Sequence, residues 1–405
     1  MKKSAVIISA IIILGGLFLG CQEEKSQGIY NPDESYQANP VISSVSPDSA
    51  LAGVTEMTIT GENFSPDPSK NVIFFKSPDK VMEAKVLSST TNEIQLVPPA
   101  MYNDSTQIKV SVIGALLYDE FSPYKLKPAV QPIDLAVASD IGAIAAEGVA
   151  VDAQNNVYVV QQNYALKKVD PLGNVSKITD LYFSTYGLIG GPSDTLYAAA
   201  SAGRAKQIAM IAPDGDYSQN YATGFTQSPR DLDFDQNGNL WVASGDEIIV
   251  VTEDGTKTTV AQMPTELYRL RVFDGSLYVL GHNNDYTEQK IWKAEIQGTS
   301  LGNNEVHFDI ANNSWLASSD SLVAIEFAED ADMYLATSID TNGVFIVHPD
   351  GSHDVLYPGL FNNSVSALTW SNSNYLYGIE VVGSESKLLK INVLENGAVH
   401  WGRTL

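Results

Sequence analysis

The sequence predicts an all-β protein in which a β-sandwich precedes a six-bladed β-propeller. Three observations carry that expectation. Apolar and polar residues alternate in short runs between Val41 and Val112, and no stretch of helical period competes there. One phrase, a polar turn leading into an aromatic and then small or β-branched residues, recurs six times between 145 and 405. Composition agrees: 44% hydrophobic, 18% charged, with 19 Tyr, 30 Gly and 18 Pro in 405 residues, which suits packed strands and turns rather than disorder. With 24 Lys+Arg against 48 Asp+Glu the formal net charge is −24, so nucleic acid is excluded as the default partner for want of a basic stripe.

The chain opens with Lys2 and Lys3, an apolar run from Ala5 to Leu19 and a small residue before the lone cysteine. A basic start and a short apolar run describe a secretory leader over residues 1–20, too short for a comfortable membrane span. The stretch Leu17-Phe18-Leu19-Gly20-Cys21 resembles the bacterial lipobox. That resemblance implies cleavage before Cys21 and lipidation of its sulfur, palmitate being one such chain, and hence a membrane partner. Losing both leader lysines takes the net charge to −26. Gln22 departs from the Asp that retains some lipoproteins at the inner membrane. The pair Glu23-Glu24 is similar to surface-export signals of Bacteroidetes-type lipoproteins. Together they imply an outer-membrane anchor, with the cell surface preferred and the periplasmic face the alternative. One cysteine permits no intramolecular disulfide. Residues 21–40, polar and carrying Pro32 and Pro40, read as an extended spacer.

Residues 41–128 form the predicted sandwich, with strands around Val45, Ile59, Ile73, Leu96 and Val110. The wording Pro40-Val-Ile-Ser-Ser-Val-Ser-Pro47, then Gly53, then Ile59-Thr-Gly61-Glu-Asn63-Phe64, resembles the IPT/TIG family. The resemblance implies an immunoglobulin-like fold in which Gly61 lets a strand bend and Phe64 caps the core. Such modules serve as spacers, adhesion units or ligand-binding domains.

Residues 129–405 carry the repeat. Its aromatics are Tyr158, Tyr197, Trp241, Tyr278, Tyr334 and Tyr377, spaced 43.8 residues apart on average, the length of a four-stranded blade. Inner strands such as Gly148–Asp152, Asp231–Asp235 and Val323–Phe327 precede the aromatic. Turns such as Pro213-Asp-Gly215 and Pro349-Asp-Gly351 close the third strand. The phrase resembles NHL-repeat propellers. Ring closure is expected from Ile133–Ala138 or from Gly397–Trp401.

Three chemical constellations stand out. Asp233-Phe-Asp235-Gln-Asn237-Gly238 has the opening of a calcium loop, but its twelfth position is Ser244 rather than Glu, so a plain turn is the expectation. Glu147-Gly148 resembles the opening of gluconolactonase-type propellers, whose three axial ligands hold a divalent ion. Only Glu147 carries over, since Ser228–Asp231 and Asp320–Val323 depart from the other two ligand motifs. The histidines His282, His307, His348, His353 and His400 read as solvated loop residues. No catalytic residue, metal ligand or cofactor is therefore assigned.

What remains is one loop face. The repeat register places Glu147, Tyr186, Arg230, Tyr268 and Arg269 where inner strands begin. It places Gln162, Tyr164, Arg204, His282 and Asn283 in the loops after second strands. Rings beside arginine, amide and carboxylate groups suit sugar recognition. The sequence thus points to a non-enzymatic, lipid-anchored binding protein for a glycan or other polymer. This organisation resembles surface glycan-binding lipoproteins. A metal-dependent hydrolase or lyase, and a scaffold or adhesion protein for an envelope partner, are the alternatives.

Overall fold

The computed structural model describes residues 36–135, 146–161, 164–317, 320–383 and 385–404. Residues 1–35, with the leader, Cys21 and most of the spacer, and Ala136–Ala138 lie outside the described residues; the last spacer residues, from Tyr36 to Pro40, are described and bond to the sandwich through Gln37 and Asn39. Two sheets form the sandwich. One orders Val41–Ser46, Met57–Glu62, Glu93–Val97 and Lys85–Ser89; the other orders Ser49–Leu51, Asp119–Lys127, Asn103–Val112, Asn71–Lys76 and Val81–Glu83. Pairing is antiparallel except between Ser49–Leu51 and Asp119–Lys127. Period-two patterning sends Ile59, Ile73, Phe75, Ile94, Leu96, Ile108 and Val110 inward, all fully buried in one cluster. Gly61 has the role its motif implies. A Cβ there would lie within 1.9 Å of the Val41 carbonyl oxygen and 2.6 Å of the Phe64 ring, and Phe64 is buried in the core.

Six blades follow, each built antiparallel outward from its inner strand; blade four has five strands, the others four, and blade six takes its outer strand from the start of the propeller. The inner strands are Ala146–Val151, Ser184–Gly190, Pro229–Phe234, Glu266–Phe273, Leu322–Phe327 and Val365–Trp370. Neighbouring blades share apolar clusters, so the core is a ring of interfaces rather than one central mass. Each repeat aromatic is buried at such an interface. In blades one and three it also ties down the preceding turn: Tyr158 Oη donates to Asp152 Oδ2 at 3.1 Å, and Trp241 Nε1 to Asp235 Oδ2 at 3.0 Å.

Ring closure differs from both expectations. The outer strand of blade six is Val130–Ile133, paired with Glu385–Asn392 so that Val130 faces Ile391 and Ile133 faces Leu388. Only Ile133 belongs to the expected segment. Pro132 sits inside this strand, which an outermost position tolerates because one side needs no N–H donor. Gly397–Trp401 is not the seam. Gly397 makes an isolated bridge to Ala328, and the chain ends in a short 3-10 turn, Trp401–Arg403, whose Gly402 lies against Gly190, Gly191 and Phe234 where inner strands stop. The tail therefore covers one end of the propeller axis. The sandwich joins the closing strand through Pro128 and Ala129, and its Gly53 lies against Leu360 in the loop between blades five and six.

Candidate functional site

Every inner strand carries a register shift at its starting end, at the steps Ala146/Gly148, Thr185/Gly187, Pro229/Asp231, Leu267/Arg269, Leu322/Ala324 and Val365/Leu368. An extra residue in one strand re-aims a side chain and bends the ladder. The residues skipped are Glu147, Tyr186, Arg230, Tyr268, Val323 and the pair Ser366-Ala367, so six bulges ring the open mouth of the axis. Four of the expected ligand residues occupy them. The side chain of Glu147 and all of Gln162 lie outside the described residues.

On the described part of the rim, Arg230 is the hub. Its guanidinium lies 4.9 Å from the Tyr186 ring centre and 5.6 Å from that of Tyr268, and it pairs with Glu266 at 3.2 Å. The rings of Tyr268, His282 and Tyr286 then stack in sequence, with centroids 3.8 Å apart at each step. Burial, reinforced by the Tyr286 hydroxyl and the Glu266 charge, pushes the Tyr268 phenol up to about 12. His282 is buried rather than solvated, because the sequence pattern shows its strand but not the two tyrosines that sandwich it. Its Nδ1 donates to the Asn283 carbonyl at 2.8 Å, Nε2 has no partner, and burial lowers its pKa, so the imidazole is neutral at pH 7. Tyr286, exposed and at positive φ, was not anticipated; it lies in a six-residue loop that the repeat register leaves undefined.

The other expected residues are placed differently. Asn283 spends its side chain inside its own loop, donating to Thr287 and accepting from the Glu288 amide. Tyr164, at φ 67°, and Arg204, beside Gly203 at φ 62°, are exposed at the tips of the second-to-third-strand turns of blades one and two. Arg269 spans the mouth itself, its Nη2 3.5 Å from the Ser366 carbonyl of blade six.

Below the rim the axis is packed with charge. Asp231 and Asp233 of blade three accept the backbone N–H groups of Leu270 and Val272, both at 2.9 Å, stapling blade four to blade three. Arg271 donates Nε and Nη2 to Glu326 Oε1 at 2.8 and 2.5 Å, and His400 Nε2 lies 3.4 Å from Glu326 Oε2. From the closed end, Arg403 donates to the Trp370 carbonyl at 2.6 Å and the Thr369 hydroxyl at 3.1 Å. Burial would raise Glu326, but Arg271 and then His400 overcome it and hold the carboxyl at about 2. Burial pushes Asp231 and Asp233 up and His400 down. Three carboxyl groups thus face three guanidiniums, with His400 beside Glu326. The cavity left at the mouth is only ≈ 30 Å³, room for one or two waters. A larger concavity of ≈ 500 Å³ lies apart from the axis, between blades four and five, over Phe273, Tyr278 and Phe327.

The calcium-like segment is a turn. The Asp235 carboxylate accepts from the amides of Asn237 and Asn239, the Asn239 side chain and Trp241, so N–H donors fill it. Among the remaining histidines, His400 is buried at the axis and His348 is held between Asp332 and Asp354, whose hydrogen bonds raise its pKa.

Residues 40–125 match the IPT/TIG domain family. No curated protein matches the chain. A Bacteroides thetaiotaomicron protein of unknown function shares 14% identity, with a TM-score of 0.53 over 89% of this chain and 99% of its own. An auxiliary nutrient binding protein from the same organism shares 12%, with a TM-score of 0.54 over 90% and 99%. A proposed gluconolactonase shares 16%, with a TM-score of 0.54 over 68% of this chain and 96% of its own. At these identities the likeness is one of fold. Fold and comparisons together define an all-β protein in which an IPT/TIG domain of immunoglobulin type is followed by a β-propeller.

Proposed function

We propose that the chain is a lipid-anchored binding protein of the cell envelope that recognises a glycan or related polymer at the propeller mouth, with the IPT/TIG domain as its spacer. The observation that carries this reading is the rim built on Arg230: stacked tyrosines, a guanidinium and a carboxylate over a channel too small to admit a sugar ring. Aromatic faces cover the C–H surfaces of pyranose rings while arginine and carboxylate take hydroxyls, which favours a polymer lying across the rim. Axial chemistry fits poorly. A divalent ion near Asp231 would sit beside Arg269 and Arg271, which already neutralise the axial carboxylates. The fold shared with an auxiliary nutrient binding protein supports binding by analogy. The Cys21 anchor rests on the lipobox resemblance, and radiolabelled palmitate lost on Cys21→Ser checks it.

Affinity electrophoresis in gels containing soluble polysaccharides, with a glycan array, tests the rim. Retardation that disappears in Arg230→Ala at unchanged melting temperature is the expected outcome. Absence of any retained glycan, together with lactone turnover in Ca²⁺ or Zn²⁺ that Glu147→Gln abolishes, overturns it in favour of hydrolysis. Crosslinking to one envelope protein without glycan binding favours a scaffold.

A further inference from the structure

We propose that the hairpin tip between Asn103–Val112 and Asp119–Lys127 of the IPT/TIG domain inserts into the outer leaflet of the bilayer that holds the lipid anchor. Four large apolar side chains project there within six residues: Ile113, Leu116, Leu117 and Tyr118 are 57, 64, 64 and 50% exposed. Scattered surface leucines are ordinary, but four on one tip form a patch that water disfavours. The tip is also tied to the incoming chain. The chain arriving from the spacer locks onto it, with the Gln37 amide donating to the Gly114 carbonyl at 2.9 Å and the Leu117 amide to Asn39 Oδ1 at 2.9 Å.

That same contact names the occupant. Only the segment from Cys21 to Tyr36 separates the anchoring position from the residues touching the tip. Whatever its conformation, such a tether reaches at most about 50 Å. The tip therefore lies at the end of the sandwich through which the tether enters, facing the lipid. Lys109 Nζ stands 3.2 Å from the Tyr118 ring centre, an aromatic and a cation paired as at a membrane interface. Because the body is strongly acidic, insertion rests on apolar burial and not on attraction to anionic headgroups, so it persists in high salt.

The proposal rests on the lipid anchor at Cys21, and the test separates the two. The lipidated full chain carrying Leu117→Cys, its only free thiol, is labelled with a polarity-sensitive fluorophore and reconstituted on phosphatidylcholine vesicles in 1 M salt. Leu172→Cys, at an 89% exposed leucine on a turn of blade one, is the control. The label at 117 is expected to shift to the blue and lose at least half its intensity to a nitroxide-bearing lipid, while the label at 172 does neither. Flotation with the vesicles but an aqueous, unquenched label at 117 overturns insertion and leaves the anchor standing. Failure to float removes the anchor and the proposal with it.

Discussion

Replacing Glu326 by Gln leaves its shape and removes the charge that Arg271 faces. Both side chains are desolvated, at 1 and 11% exposure, so the guanidinium would be left as an uncompensated buried cation. Such losses cost about 3–5 kcal/mol. The proton linkage gives a similar figure. The carboxyl falls from its ordinary 4.5 to about 2, which at about 1.36 kcal/mol per tenfold change in proton affinity is about 3 kcal/mol. A depressed carboxyl stabilises the fold above its unfolded value and loses that contribution as pH drops through the folded one. The charge-linked gap between wild type and Glu326→Gln is therefore full at pH 7 and less than half of that at pH 3. Asp231 and Asp233 are raised by burial and gain stability on acidification, so the difference between the two proteins, not either curve alone, isolates Glu326. All five tryptophans belong to the propeller, so intrinsic fluorescence in urea follows that unit. A gap under about 1 kcal/mol at pH 7, or one that does not narrow by pH 3, would refute the ion-pair account.

Glycan affinity should fall at least tenfold in Tyr268→Ala, as it does in Arg230→Ala, because both rings beside the Arg230 guanidinium form one surface; a loss under twofold in each detaches binding from the rim. Gly397→Ala should destabilise the propeller by about 2–3 kcal/mol in the same urea assay, since its Cβ would come within 2.2 Å of the fully buried Trp370 ring; a neutral result means the tail moves freely. Asp235→Ala should cost about 3 kcal/mol by stranding four N–H donors. Millimolar Ca²⁺ should leave the wild-type midpoint unchanged, whereas a 10 μM site at this loop would add about 2.7 kcal/mol.

The blades were legible because burial of a repeated aromatic and the turn before it are local and recur. Tyr158 and Trp241 each bond an aspartate six residues upstream, and that reach shows as sequence period. The mouth was partly legible for the same reason: the start of each inner strand can be counted, which brought out Tyr186, Arg230 and Tyr268. The bulges that aim those side chains shift pairing by a single residue and leave no mark on hydrophobic pattern. The axis was not legible at all. Arg271, Glu326 and the turn carrying His400 and Arg403 come from three separate parts of the chain, and nothing local distinguishes a buried arginine from a solvated one. Closure was placed three residues too late in the first candidate, since the pairing of Val130–Ile133 with a strand about 260 residues away leaves no local mark.

The closing strand also sets a clock for synthesis. Val130 must wait for Ile391, about 260 residues later, before the ring can shut. At about 5–20 residues per second that interval is roughly 13–50 s, during which the earlier blades exist as an open arc with an unpaired edge. A neighbouring nascent chain offers an identical strand for the vacancy, so exchange of Val130–Ile133 between two molecules is the misassembly this topology invites.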